Sequence, residues 1–263
     1  MAIAEGNVYW SDGGAGGPVI ERCAASACAA TRSTLAAARP YEMVADAKDV
    51  YWVDGGSTVN ACSIVGCSTL RTLGDPADDV VLSGGLAIDA DNVYWAKSHF
   101  TIVSCPKSGC AGAPRVVLAN LPYSGSEGIR PLVVAGDSLY FASVVQVSSG
   151  LDGKLFRCAK TGCDAPTVLA SGLVNPSSLG TDGTTLYFSE HPDPCCTTQD
   201  TTCCQDRNVS RIALCAATGC NGMPTVLVPG ASAASNISAD PHHVFWATSD
   251  DSGTTGTIHV IDH

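Results

Sequence analysis

Cysteine is the residue type with the clearest chemistry in this chain. Ten of the fourteen cysteines form pairs with four residues between the two members: Cys23/Cys28, Cys62/Cys67, Cys105/Cys110, Cys158/Cys163 and Cys215/Cys220. Each pair flanks a predicted tight turn, which brings the two Cβ atoms within bonding distance. Zinc is the alternative, but structural zinc sites gather four ligands, and five separated pairs cannot share one metal. The spacing predicts five local disulfides on outer edges, each stabilising by roughly 2 kcal/mol.

The other four cysteines lie together in one insertion, at Cys195, Cys196, Cys203 and Cys204. They could form two further disulfides of unknown connectivity, or a metal site with four thiolate ligands. An even cysteine count and a disulfide-rich chain favour the disulfides. Disulfides at this density also predict an oxidising compartment, so we expect a secreted, periplasmic or cell-surface protein.

Four of the six histidines lie near the end of the chain, at His242, His243, His259 and His263. Two adjacent histidines could chelate a metal ion, but His242 and His243 occupy a predicted turn, and we expect the end of the chain to fray. The sequence contains no Gly-x-Ser-x-Gly, no His-Glu-x-x-His and no phosphate-binding glycine loop that leads into a helix. We therefore predict no catalytic residue, metal or cofactor, and the sequence favours a protein that is not an enzyme.

The elements that position these residues follow from a repeated aromatic pair. Six copies, separated by 42 to 58 residues, occur at Tyr9-Trp10, Tyr51-Trp52, Tyr94-Trp95, Tyr140-Phe141, Tyr187-Phe188 and Phe245-Trp246. Each repeat contains an apolar stretch, a turn rich in Asp, Asn or Gly, the aromatic strand, a strand that ends in cysteine, and a strand with a Thr-Leu pattern. Four short strands per repeat of this length predict the blades of a β-propeller.

We name the four strands A to D, from the centre of the propeller outward. The predicted fold is all-β: one six-bladed propeller of antiparallel four-stranded blades, at about 1–39, 40–84, 85–129, 130–174, 175–234 and 235–263. The last blade is incomplete, because the sequence stops after strand C and Ile261 occupies the position of the first cysteine. A solenoid or two sandwiches would not predict one aromatic pair per unit. We expect the native chain to extend beyond both ends, and a seventh blade is the alternative.

Aspartate recurs at one position of the A–B turn, at Asp46, Asp89, Asp137, Asp182 and Asp240. Because aspartate accepts hydrogen bonds from the backbone a few residues further on, we predict that these side chains cap the turns.

The residues that follow the aromatic pair carry a family resemblance. Tyr9-Trp10-Ser11-Asp12 and Tyr51-Trp52-Val53-Asp54 resemble the Tyr-Trp-Thr-Asp repeat of the low-density-lipoprotein-receptor class of six-bladed propellers. The acid is missing or replaced in the four later repeats. The resemblance implies the fold, and it suggests a binding role because most members of that family bind proteins.

Composition excludes several function classes. The chain has 263 residues, a net charge of −11 and only 14 Lys and Arg residues, which are not clustered. A nucleic-acid-binding surface would need a basic stripe, so we predict no nucleic-acid partner. No apolar run approaches the roughly 18–20 residues of a transmembrane helix. Abundant Ala and Gly with little Lys suggest a GC-rich bacterial genome.

The B–C and D–A loops vary between repeats and share one face of a propeller. Since rigid scaffolds usually carry binding residues on such loops, the candidate ligand-binding residues are His99, Phe100, Tyr123, Glu127, Arg130, Glu190, His191 and Asp193. We predict a binding or scaffold module for a protein, peptide or glycan. One alternative is a metal-dependent lyase or lactonase in the central channel, although the inner strands offer no acid that points reliably inward. The other is a structural surface or fibre subunit that self-assembles through blade edges.

Overall fold

The computed structural model describes all residues except 14–15, 55–57, 75–84, 98–99, 111, 120, 122–127, 148–149, 192–210, 232–233 and 250–255. The described chain forms two compact units. Residues 1–98 and 102–116 form the first unit, and residues 99–101 and 117–263 form the second.

The prediction of an all-β six-bladed propeller is confirmed, because the strands form six antiparallel sheets in chain order. Blade 1 contains β1 (Ala2–Ala4), β2 (Asn7–Asp12), β3 (Val19–Ala24) and β4 (Ser33–Ala36). Blade 2 contains β5 (Pro40–Ala45), β6 (Asp49–Asp54), β7 (Val59–Ser63) and β8 (Arg71–Leu73). Blade 3 contains β9 (Leu86–Ile88), β10 (Asn92–Lys97), β11 (Thr101–Pro106) and β12 (Arg115–Leu118).

The second unit holds the other three blades. Blade 4 contains β13 (Ile129–Ala135), β14 (Ser138–Val147), β15 (Gly150–Ala159) and β16 (Thr167–Leu173). Blade 5 contains β17 (Pro176–Thr181), β18 (Thr185–Glu190), β19 (Arg211–Ala216) and β20 (Thr225–Pro229). Blade 6 has three described strands, as predicted: β21 (Ser235–Ala239), β22 (His243–Ser249) and β23 (Gly256–Asp262). Among the described residues, the single helix is the one-turn α1 (Cys28–Thr31).

The aromatic pair joins neighbouring blades. Successive side chains of a strand point to opposite faces of its sheet, so the two aromatic residues of one blade enter different apolar clusters. Tyr51 shares a cluster with Trp95 of the next blade, whereas Trp52 shares one with Tyr9 of the preceding blade. In the second unit, Tyr187 is likewise clustered with Trp246 of blade 6. Burial on both faces explains why each repeat has two adjacent aromatic residues.

The prediction of five local disulfides is confirmed. The Cα atoms of each pair lie between 4.7 and 5.6 Å apart, within the range that a disulfide requires. The five bonds are Cys23–Cys28, Cys62–Cys67, Cys105–Cys110, Cys158–Cys163 and Cys215–Cys220. The four cysteines of the insertion, Cys195, Cys196, Cys203 and Cys204, lie outside the described residues.

Three of these cysteines also pack against apolar clusters. Cys110 of blade 3 is partly buried, and it packs against the apolar cluster that contains Tyr51 of blade 2. Cys67 of blade 2 contacts the cluster that contains Leu35 of blade 1. Cys220 of blade 5 contacts the cluster that contains Leu169 of blade 4. Cys220 Sγ lies 3.6 Å from the carbonyl oxygen of Leu169, so the disulfide turn of blade 5 contacts blade 4.

The aspartate prediction is confirmed in four of five turns. Oδ1 of Asp46, for example, accepts the backbone N–H groups of Lys48 and Asp49. The same two bonds recur at Asp89, Asp182 and Asp240. Asp137 is the exception, and there the prediction is wrong. Its blade uses a two-residue turn between Ala135 and Ser138 in which Gly136 has a φ of 55°, so the Asp137 carboxylate is left fully exposed.

The two middle strands of blade 4, β14 and β15, have ten residues each. β14 and β15 pair residue by residue from Ser138 opposite Ala159 to Val147 opposite Gly150. This hairpin is longer than those of the other blades.

Candidate functional site

The two ends of each blade differ in how much they repeat. The A–B and C–D turns lie at one end, where the aspartate caps and the disulfides recur from blade to blade. The B–C connections lie at the other end, together with the D–A connections, and they differ in length and sequence. The longest B–C connection runs from Glu190 of β18 to Arg211 of β19.

Buried polar contacts hold the base of that connection. Glu190 and Arg211 are directly opposite each other in the sheet, and Arg211 Nε donates to Glu190 Oε2 at 2.5 Å. The other carboxylate oxygen accepts the N–H of Val174 at 2.7 Å. Glu190 has no exposed surface. A charge buried to this extent is tolerated only when ion pairing and hydrogen bonds compensate for lost hydration. Both oxygens of Glu190 are compensated, so its contacts fix the two ends of the insertion relative to blade 5.

His191 links the same connection to blade 6. Its ring Nε2 lies 3.1 Å from the carbonyl oxygen of Ala234, at the start of blade 6. The backbone N–H of His191 donates to the carbonyl oxygen of Val174 at 3.3 Å. Burial lowers the pKa of His191, and the bond to Ala234 only partly opposes that shift. Because a carbonyl oxygen can only accept, the neutral ring carries its proton on Nε2 and keeps a lone pair on Nδ1. The Nδ1 lone pair can accept a hydrogen bond from a ligand.

The other candidate residues are distributed as follows. Phe100 is partly buried at the B–C connection of blade 3, and its carbonyl accepts the N–H of Leu121 at 2.9 Å. Arg130 was expected in a D–A loop but lies in β13, the innermost strand of blade 4. Thus the described structure brings Glu190 and His191 together and places Phe100 and Arg130 at separate blades. His99, Tyr123, Glu127 and Asp193 lie outside the described residues.

Sequence reasoning missed two residues of interest. Arg211 is the partner of Glu190, and nothing in the local pattern marks it because the two are 21 positions apart. Glu42 lies on β5, an innermost strand, and we expected no acid on these strands to point reliably inward. Burial raises the pKa of Glu42 to about 7, against the opposing effects of the Leu86 N–H and the amino group of Met1. Glu42 therefore changes its charge near neutral pH. The signal in the sequence was its position directly before the apolar stretch Met43-Val44-Ala45.

Within the described residues, no group of three or more His, Cys, Asp or Glu side chains is arranged to hold a metal ion. In the same part of the chain, no helix is both long and apolar enough to cross a membrane.

Comparison with known proteins supports the architecture. No family model matches the chain, and no curated protein matches it. Among solved structures, a protein of unknown function from Bacteroides thetaiotaomicron is similar with a TM-score of 0.57 and 13% identity, over 93% of this chain and 64% of that one. The β-propeller domain of Cps50 (Swd1) from Myceliophteria thermophila is similar with a TM-score of 0.53 and 9% identity, over 95% and 79%.

An enzyme is among the similar structures. The acylaminoacyl peptidase of Pyrococcus horikoshii has a TM-score of 0.58 and 8% identity, over 98% of this chain and 43% of that one. The chain thus spans less than two thirds of the length of the Bacteroides and Pyrococcus proteins. At these identities the likenesses show the propeller fold alone.

Proposed function

We propose that this protein is an extracytoplasmic binding or scaffold module that recognises a protein, peptide or glycan through its B–C and D–A connections. The observation that carries the proposal is the base of the blade 5 insertion, where a buried ion pair and the His191–Ala234 bond hold a connection of unique sequence. Rigid scaffolds typically present binding residues on such connections. The repeated turns at the opposite end of the blades offer no comparable variation. Five disulfides are compatible with an oxidising compartment.

The proposal assigns different roles to the candidate residues. Glu190 positions the connection, because both of its oxygens are engaged inside the protein. His191 and Phe100 are the described side chains that we propose as ligand contacts, with Arg130 at the inner strand of blade 4. His99, Tyr123, Glu127 and Asp193 belong to the same proposed face.

A glycan and peptide array tests the proposal. The wild-type protein should bind a defined set of probes, and His191→Ala and Phe100→Ala should weaken that binding. His242→Ala is the matched control, because His242 is an exposed histidine in an A–B turn at the opposite end of blade 6. Loss of binding in the control variant alone would contradict the proposed face.

Two measurements decide between this proposal and its alternatives. Stoichiometric calcium or zinc in the purified protein would favour a metal-dependent lyase or lactonase in the channel. A mass that rises with concentration above that of the single chain would favour a structural subunit that assembles through blade edges.

A further inference from the structure

A cavity lies at the end of blade 4 that carries the A–B and C–D turns, opposite the end to which the proposed function assigns binding. Its volume is about 390 Å³. The last three residues of β15, the disulfide turn up to Cys163 and the first residue of β16 line it, together with Ser138 and Asp164. This volume is at the lower end of the range for small-molecule sites, so the cavity has room for one small group.

Arg157 supplies the positive charge of this cavity. The side chain is exposed to solvent, and its Nε donates to Ser138 Oγ at 3.0 Å. Ser138 is only 5% exposed, so a hydroxyl held inside the blade fixes the orientation of the guanidinium group. Among the described residues, Arg157 has no second hydrogen bond and no ion pair. Its Nη1 and Nη2 groups therefore remain as donors for a ligand.

Blade 1 has an arginine at the equivalent position. Arg22 and Arg157 each directly precede the first cysteine of their disulfide and lie opposite the first aromatic residue of their blade. Nε of Arg22 donates to Ser33 Oγ at 3.3 Å, and its Nη1 donates to the backbone carbonyl oxygen of Ile64 in blade 2. A terminal nitrogen of Arg22 is thus used in a contact between blades, whereas those of Arg157 are not.

The first residue of strand B explains why the two arginines differ. Both blades have a two-residue A–B turn, and Asn7 of blade 1 stands where blade 4 has Ser138. The Asn7 amide donates to the carbonyl oxygen of Glu5 at 2.9 Å and is engaged within its own turn. The serine hydroxyl oxygen accepts the arginine N–H instead. Ser138 therefore holds Arg157 on its own blade, whereas Arg22 reaches the next one.

The charges around the cavity select the class of ligand. Among the lining residues, Arg157 is the one cation and Asp164 the one anion, and beside them Lys160 Nζ lies 3.7 Å from Asp137 Oδ1. The surroundings thus balance to zero, which disfavours a dianion such as phosphate because its second charge would lose hydration without compensation. Asp164 is exposed, so water and salt screen its effect on a single negative charge. A planar guanidinium group matches a carboxylate through two parallel hydrogen bonds.

The rest of the lining limits the size and polarity of the ligand. Ala159 and Ala165 contribute small apolar side chains, the disulfide contributes sulfur, and Thr167 contributes one hydroxyl group. These groups suit a short aliphatic chain beside the carboxylate.

We propose that this cavity of blade 4 binds a carboxylate group through the Nη1–Nη2 edge of Arg157, which Ser138 orients. The ligand is a small organic acid or the C-terminal residue of a peptide, with a short side chain in either case. The site shares no residue with the B–C and D–A connections, so it is a second binding site that stands or falls independently of the proposed function.

Nuclear magnetic resonance titration of the isotope-labelled whole protein tests the proposal. The signals to follow are the Nε–H of Arg157 and the backbone amides of residues 159–164. Sodium acetate and N-acetyl-alanyl-alanine should shift these signals until they saturate, whereas the amide of the same dipeptide should not. The relative affinities of acetate and the peptide acid identify the source of the carboxylate, and saturable binding of either supports the site.

Matched variants identify the group that binds. Arg157→Gln should weaken carboxylate binding by about tenfold or more, because hydrogen bonds from a charged group are lost. Arg157→Lys should also weaken binding, since lysine keeps the charge but lacks the planar fork. Arg22→Gln is the control and should leave binding unchanged, because Arg22 contacts blade 2. Asp164→Asn should increase the affinity for phosphate about tenfold, since it removes the anion of the lining.

Two sets of results would overturn the proposal. The first is the absence of a saturable shift with either carboxylate, or equal shifts with the peptide acid and its amide; this comparison uses the wild-type protein and so does not depend on the folding of a variant. The second is carboxylate binding that persists in Arg157→Gln or disappears in Arg22→Gln, which would assign the binding to another group.

Discussion

Blades 2 and 5 each carry an aspartate that accepts a hydrogen bond from a tyrosine five residues later, Asp46 with Tyr51 and Asp182 with Tyr187. We call these the Asp–Tyr pairs, and the neighbouring blade contacts each pair differently. In the first unit Lys107 lies 2.6 Å from the carboxylate of Asp46, whereas in the second unit His263 approaches the tyrosine hydroxyl more closely than the carboxylate. The long lysine chain reaches the acid itself, and the shorter imidazole reaches the hydroxyl that the acid polarises. The comparison shows that one repeat position can hold either a lysine or a histidine that contacts the preceding blade.

The largest effect expected at the seam between blades 5 and 6 comes from the inner strands. A Cβ atom on Gly180 would lie 2.8 Å from the carbonyl oxygen of Ile237 in blade 6. Gly180→Ala should therefore destabilise the protein by about 3 kcal/mol in urea unfolding, since packed strands must separate. Gly66→Ala is the control, because nothing lies within 4 Å of the added atom. If Gly180→Ala is as stable as the control, the contact of His263 with Tyr187, and not the inner strands, dominates the packing between blades 5 and 6.

Removal of the aspartate should have the next largest effect. Asp46→Ala loses two backbone bonds, the Tyr51 bond and the Lys107 contact, so we expect a loss of about 2 kcal/mol in thermal or urea unfolding. Asp137→Ala should change stability little, because that carboxylate is fully exposed. Equal losses in the two variants would show that the Asp–Tyr pair adds nothing beyond its turn.

The tyrosine hydroxyl allows a finer test of the two pairs. Tyr187→Phe removes the group between Asp182 and His263 and should cost about 1 kcal/mol. Tyr51→Phe should cost less, because Lys107 contacts Asp46 directly. Tyr140→Phe is the control, since its blade has Ala135 in place of the aspartate. The comparison between blades fails if Tyr51→Phe is the more damaging substitution.

The smallest expected effect is the acid dependence of the carboxylates. Burial alone would raise the pKa of Asp46, but bonds from Lys107 and the turn amides lower it, so the folded state favours the charged form. Its stabilisation is therefore present above about pH 4, where the unfolded residue titrates, and declines as pH falls further. Asp46→Asn should flatten the stability profile in that acid range and leave it unchanged near neutrality. An unchanged slope below pH ~4 would contradict this assignment.

The local disulfides and the capped turns could be predicted from the sequence, because they depend on residues close together in the chain. Cys105 and Cys110 flank one turn, so their bond needs only one hairpin to form, and Asp46 lies within three residues of the amides that it caps. The approach of Cys220 Sγ to the carbonyl oxygen of Leu169 in blade 4 was missed, because that contact exists only between stacked sheets.

The prediction of a capping aspartate failed in blade 4, where the A–B turn has a different form. Asp137 lies three residues before the aromatic pair of its blade, whereas the capping aspartates lie five residues before theirs. Gly136 permits a tighter turn, which leaves Asp137 in solvent.

Only part of the candidate site could be predicted from the sequence. Its location on the variable connections followed from the comparison of repeats, and Glu190 and His191 were named from the sequence. Their roles were not predictable, because the partners come from other strands: Arg211 across the insertion, Val174 from the connection before blade 5 and Ala234 from the start of blade 6.

The sequence alone determined the repeat, the strand order within a blade and the local disulfides, since these depend on residues close together in the chain. The stacking of blades decided the rest. It buries Glu190 against Arg211, sends the two aromatic residues of one strand to different neighbours, and brings His263 to Tyr187 across 76 positions of sequence. Contacts of that separation exist only after whole sheets have packed face to face, because nothing in the intervening chain fixes the distance between them.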